Sequence, residues 1–252
     1  RLRGLDRLDM LNGFTYKTLP REIRNPLGMK NLRVTTLLRQ SDEELKHEVF
    51  LRLNTGGEVL NAQEIRNVAY RGPLNKLIYG LAENEFLRAQ FKITSPTSNA
   101  YKQMLDAEYV LRFLTLSANW RHFRGELRSE MDSFMRVHRF DNEAKLAKMA
   151  ESFERCIDSA QAIWGSRAFK RPGRDQALAG LFDAQMIALS TLEEARHRSL
   201  VRHRNKVRRQ SDRLFEDPNF DESVRRATNT PQRLRFRTEV LADLLLSVSE
   251  GE

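Results

Sequence analysis

The residues best suited to chemistry gather at one turn. Between Phe50 and Asn67 the chain carries Arg52, Asn54, Thr55, Gly56 and Gly57, with Arg66 a little further on. Two adjacent glycines leave backbone amides open to close approach by an oxyanion. Arg52, Asn54, Thr55 and Arg66 can add side-chain donors, and guanidinium groups match phosphate oxygens in pairs. A phosphate-bearing ligand fits this set. So does a plain glycine corner between two helices with its arginines turned to solvent.

A second group is purely cationic. Residues 193–213 hold Arg196, His197, Arg198, Arg202, His203, Arg204, Lys206, Arg208, Arg209 and Arg213, while Leu192, Ala195, Leu200 and Val207 loosely mark a buried side. Such a run is either a solvated helix face or a phosphate-backbone contact, since unopposed like charges on one helix are costly without an anion. Arg198, Arg202, Arg204, Lys206, Arg208 and Arg209 are the candidate DNA contacts. The net charge of +9, from 43 basic and 34 acidic residues, points the same way. Glu108 and Arg112, one helical turn apart in an apolar stretch, read as an i,i+4 ion pair at a helix interface or as support for a phosphate site.

Other chemistries find little footing. The five histidines have no metal-ligand spacing with carboxylates or with the single cysteine, Cys156. There is no His-Asn-His nuclease motif, no P-loop and no nucleophile elbow. One cysteine excludes an intrachain disulfide framework and fits a reducing cytoplasm. No apolar run approaches the ~20 residues that span a bilayer, so a membrane is not an expected partner.

The elements that must position these groups are mostly helical. The spacing of apolar residues predicts a helix over 1–12, a loop over 13–31 with a short turn near 20–24, and one strand over 32–38. Ser41 and Glu44 form a capping box that opens a helix running to about Leu53. Arg52 falls on its apolar face, near Leu45. The next helix has Asn61 as N-cap, Glu64 three residues on, and Leu60 with Ile65 as a hydrophobic staple; it ends at Arg71-Gly72-Pro73. Helices are then predicted over 74–91, 100–118, 120–137, 141–164, 174–191, 193–215 and 232–249.

The segment Phe50-Leu-Arg-Leu-Asn-Thr-Gly-Gly, with Leu60-Asn-Ala-Gln-Glu-Ile-Arg-Asn, resembles the signature of the GmrS/GmrD-type restriction N-terminal domain family, a ParB- and sulfiredoxin-like domain of bacterial anti-phage proteins. The residues from Met104 to Leu114, Ala168-Phe-Lys-Arg and Ala179-Gly-Leu-Phe-Asp-Ala are similar to later positions of that family. The resemblance implies an Asp-Gly-x-Gln-Arg-Leu motif whose tail is Arg1-Leu2, with its other residues and the strand's sheet partners expected upstream. It further implies that Arg1, Arg52, Asn54, Thr55, Gly56, Gly57 and Arg66 face nucleotide phosphates. Arg52 and Asn54 would act in catalysis, with Asn54 beside a Mg²⁺ ion. Leu51 stands where the family often has glutamate, which removes a possible metal-side carboxylate. No nuclease domain follows within the 252 residues.

These readings together give an α+β protein. The ParB/sulfiredoxin-like mixed front, truncated at its N-terminus, occupies 1–92 and a mostly helical bundle 93–252. The expected function is an NTP-binding and NTP-hydrolysing sensor of a cytoplasmic DNA-restriction or anti-phage system, using NTP and Mg²⁺ and acting on DNA with a partner nuclease or as a homo-oligomer. A non-catalytic DNA-binding or adaptor module is the alternative, and a ParB-like nuclease the next.

Overall fold

The computed structural model describes residues 1–31, 34, 49 and 60–250. The chain divides into two compact units, Arg1–Lys46 and His47–Glu252.

In the first unit the helix expected over 1–12 does not form. Gly4 takes a left-handed φ of 69°, a conformation that breaks a helix and that glycine adopts without a steric penalty. The segment folds back instead: the Leu2 amide donates to Phe14 O at 2.8 Å and Gly13 N to Leu2 O at 2.9 Å. Asn12 ties the loop through its side chain, accepting from Leu5 N and donating to Leu5 O. Only 3-10 turns appear, at Asp9–Leu11 and Tyr16–Thr18. Helix α1 then spans Arg21–Gly28, where the sequence suggests a loop. Pro20 sits at its N-cap, where a missing N–H costs nothing, and Pro26 is carried in its last turn.

The expected α+β class is corrected to all-helical. Among the described residues the only β feature is an isolated antiparallel bridge between Lys170 and Ala177, and no sheet is present. A sheet needs paired extended neighbours, and among the described residues only Lys170 and Ala177 pair in that way. Apart from Val34, the strand expected over 32–38 lies outside the described residues, as do the Ser41 capping box and the end of its helix, save for Val49.

The second unit is a helical assembly. It comprises α2 (Ala62–Ala69), α3 (Pro73–Ala82), α4 (Glu85–Gln90), α5 (Asn99–Lys102) and α6 (Leu105–Asn119). After these come α7 (Leu127–His138), α8 (Glu143–Trp164), α9 (Ala179–Ser190), α10 (Glu194–Arg202), α11 (Arg204–Arg213), α12 (Pro218–Arg225) and α13 (Pro231–Glu250). The N-terminus of α2 forms as the sequence indicates. Asn61 Oδ1 accepts Gln63 N and Glu64 N at 2.8 and 3.0 Å, and Glu64 Oε2 accepts Asn61 N at 2.7 Å. Two predicted helices start later than expected, α7 at Leu127 instead of 120 and α9 at Ala179 instead of 174, and three are divided. Asn84 caps α4 and so ends α3, while Met104, at φ 55°, separates α5 from α6. His203 separates α10 from α11.

Helix α9 is the centre of the core. Every residue from Gly180 to Leu189 is buried, so it is covered by neighbours on all sides. Helices α6, α8, α12 and α13 pack around it. Gly180 permits a close approach by α12: a Cβ there would lie 2.6 Å from Val224 O. Phe91, Tyr109, Phe169 and Phe182 form a contiguous aromatic cluster beside it, with ring centroids from 3.7 to 5.9 Å apart.

One charged residue stands on this apolar helix. Asp183, fully buried, accepts from Arg112 Nε at 2.5 Å and Nη2 at 2.7 Å on α6, and from Arg237 Nη2 at 2.9 Å on α13. Arg112 also reaches Asn229 Oδ1, and Arg237 Nη1 is held by the carbonyls of Ser223 and Thr228. Arg112 therefore pairs across the core with Asp183, not with Glu108 one turn away. The pull of a buried carboxylate outweighs that of a partner on the helix surface, where water competes.

Candidate functional site: a basic stripe and an adjoining pocket

The glycine turn is the first candidate. Arg52, Asn54, Thr55, Gly56 and Gly57 all lie outside the described residues. Arg1 is exposed in the first unit. Arg66 is described, and its guanidinium is turned inward with 1% of the side chain exposed. Nε donates to Asp132 Oδ1 on α7 at 2.6 Å, Nη1 to Gln63 Oε1 at 3.3 Å and Nη2 to Arg128 O at 3.3 Å. All three of its nitrogens thus hold protein acceptors, and they bind α2 to α7. Of the residues that the family resemblance assigns to nucleotide and Mg²⁺, only Arg1 and Arg66 are described, and they lie in separate units. Among the described residues no group of three or more histidine, cysteine or carboxylate side chains is arranged to hold a metal ion.

The cationic run is built differently from its sequence outline. It forms two helices, each with one buried side: His197, Ser199 and Leu200 in α10, Val207 and Ser211 in α11. At about 100° per residue, Arg198 and Arg202 fall opposite Leu200 and Arg209 falls opposite Val207, with Lys206 and Arg213 to either side of that outward face. Arg198, Arg202, Arg204, Arg209 and Arg213 are exposed and Lys206 is half-buried.

Two acidic residues occur in α10 and the first nine positions of α11, and both are engaged. Glu194 lies 3.6 Å from Arg198, and Asp212 is held by Arg167 at 2.5 Å. Among the described residues Arg204, Lys206, Arg209 and Arg213 have no carboxylate partner. Arg208 is distinct from its neighbours. Its Nε donates to Ile163 O at the end of α8, so it satisfies one of that helix's terminal carbonyls and complements its negative end. Arg196 likewise turns inward, to Ser249 Oγ at 3.0 Å and Glu250 at 2.9 Å.

Beside the head of this stripe lies a pocket of about 460 Å³ between α8 and α10. Its floor is a polar pair absent from the sequence reading. Ser159 Oγ is 2.7 Å from His197 Nδ1, and His197 Nε2 is 3.1 Å from Leu189 O. A carbonyl can only accept, so Nε2 carries the proton and Nδ1, bare, accepts from the Ser159 hydroxyl. Burial, reinforced by the nearby Arg155 charge, pushes the His197 pKa down and keeps the ring neutral. Ala162 and Val201 supply the apolar wall. The rim bears both signs of charge, Arg155 and Asp158 from α8, Glu194 and Arg198 from α10. Its only sequence trace is the recurrence of polar residues at intervals of three and four along both helices, a pattern shared with any solvated face.

Comparison with protein-family models, with curated proteins and with solved structures finds no match for this chain. No helix of the described residues is long and apolar enough to cross a membrane.

Proposed function

We propose that this protein is a non-catalytic nucleic-acid-binding module that grips the phosphate backbone through α10 and α11. The observation that supports this reading best is the row of cationic side chains on the outward faces of both helices, four of them without a carboxylate partner among the described residues. Folding such a row leaves its mutual repulsion uncompensated, and an array of phosphates relieves it. Arg208 is excluded from the contact set because its donor is spent on α8. Arg213 joins it.

The biological setting follows the resemblance to the restriction-domain family: a DNA-engaging component of a bacterial restriction or anti-phage system. In that setting the Arg52–Gly57 turn is the place for nucleotide phosphates. Binding of a fluorescent NTP, compared between the protein and its Arg52→Ala variant, tests that part separately.

Charge reversal tests the stripe. Arg209→Glu combined with Arg213→Glu should weaken binding to a fluorescent 20-base-pair duplex by well over tenfold. Lys76→Glu with Lys102→Glu, an equal change of charge on α3 and α5, should have a far smaller effect. Equal losses from the two pairs would reduce the interaction to net charge and remove the stripe.

A further inference from the structure

We infer that the pocket between α8 and α10 receives an unpaired guanine base from a strand lying on the basic stripe. The inference rests on the proposed function for the strand, but the pocket's own chemistry selects the base.

A free phosphate is the first ligand that a pocket with two arginines suggests, and the rim argues against it. Arg155 and Arg198 are balanced by Asp158 and Glu194, so the rim presents no net positive charge. A neutral floor adds none: the His197 ring is held uncharged by burial, and its hydrogen bonds to Ser159 and Leu189 are already made. The matching ligand is uncharged, flat and able both to donate and to accept. It should be able to lie in a groove open to solvent, with faces apolar enough to rest against Ala162 and Val201.

Among nucleobases, guanine matches the two signs of charge best. Its N1–H and N2–H₂ donors suit a carboxylate, and its O6 and N7 acceptors suit a guanidinium. Adenine and cytosine each offer an amino group to a carboxylate, but neither presents the paired O6 and N7 acceptors. The donors and acceptors of guanine's pairing edge are open only when the base is unpaired.

Two further observations place a base here. Arg155 lines the pocket with 28% of its side chain exposed and only a 3.9 Å approach of its Nη1 to Glu151, which leaves guanidinium N–H donors for an incoming acceptor. Arg198 belongs to both features, lining the pocket and standing at the head of the stripe. A backbone tracked by Lys206 and Arg209 therefore arrives at the pocket mouth. Phosphate contacts set position and base contacts add selectivity.

Guanosine, which carries no phosphate, is the probe that separates the pocket from the stripe. In the wild-type protein it should shift the His197 ring resonances in a saturable way. Ala162→Trp, a substitution at an exposed lining position, should abolish that response, and Arg209→Glu/Arg213→Glu should retain it. On oligonucleotides, Ala162→Trp should cost roughly tenfold in affinity for a guanine-containing single strand, within the range for one good base contact. Its affinity for a blunt duplex should stay within twofold.

No response to guanosine in the wild-type protein overturns the pocket assignment, as does an equal response to adenosine. A guanosine response in a protein that binds no oligonucleotide retains the pocket as a guanine site and overturns the stripe.

Discussion

Replacing Asp183 by asparagine removes one negative charge from between two buried guanidiniums and leaves the shape of the site almost unchanged. In the native arrangement the carboxylate accepts three hydrogen bonds, at 2.5, 2.7 and 2.9 Å, and joins α6, α9 and α13. Asparagine offers one acceptor oxygen, and its amide directs a donor at groups that can only donate. Arg237 has no exposed surface and Arg112 is 8% exposed, so neither can turn to water without opening the core. Breaking a buried pair in this way costs about 3–5 kcal/mol, a fifth or more of the roughly 5–15 kcal/mol that holds a typical domain folded. Followed by circular dichroism at 222 nm, Asp183→Asn should lower the urea midpoint sharply. At about 2–4 °C per kcal/mol for a chain of this size, the melting temperature should fall on the order of 10 °C. A triple replacement by apolar residues, Arg112→Met, Asp183→Leu and Arg237→Met, should be milder because it strands no charge. A loss below about 1 kcal/mol for Asp183→Asn would refute the view that this triad fastens the three helices.

Three smaller perturbations follow from the same packing. Gly180→Ala puts a methyl 2.6 Å from Val224 O and 3.0 Å from Thr228 Cγ2, so α9 and α12 must part; thermal denaturation should show a loss of about 1–3 kcal/mol. His197 has a folded pKa below its unfolded value, so the unfolded chain binds the extra proton. Its contribution is complete above about pH 6.5 and is lost as pH falls through that value towards the folded pKa. Urea midpoints should decline over that window, and the part due to this ring should vanish in His197→Asn. Cys156 is buried and its thiol is pushed up to about 12 by burial against the opposing Arg155 charge. It should react with an aromatic disulfide reagent only at the rate of opening of the fold, whereas rapid labelling of the native protein would show the thiol to be reachable.

The sequence carries local structure well and tertiary pairing poorly. Asn61 and Glu64 cap α2 because all the atoms involved lie within four residues, and the breaks near Pro172, Pro218 and Pro231 follow from chain chemistry alone. The partner of Arg112 could not be read in this way. Glu108 is the neighbour that helical spacing offers, while Asp183 is 71 positions away and becomes adjacent only when α9 is enclosed. Met104 and Phe169 adopt left-handed backbone without being glycine, so tertiary burial, not local preference, sets those turns. The expected helix over 1–12 failed at Gly4, where apolar periodicity continued through a residue suited to a turn. In the cationic run, composition showed a phosphate-seeking surface but could not separate outward Arg209 from Arg208, whose hydrogen bond to α8 depends on how two helices meet. The Ser159 and His197 pair, 38 positions apart, left no mark in the pattern at all.

The salt dependence of duplex binding tests the central claim most directly. With four cations that have no carboxylate partner among the described residues each displacing a condensed counterion, a plot of log affinity against log salt concentration should have a slope of about −3.6. Arg209→Glu with Arg213→Glu should bring it to about −2 or shallower. A slope near zero, or one that the double variant leaves unchanged, would contradict the reading of α10 and α11 as a phosphate-backbone contact.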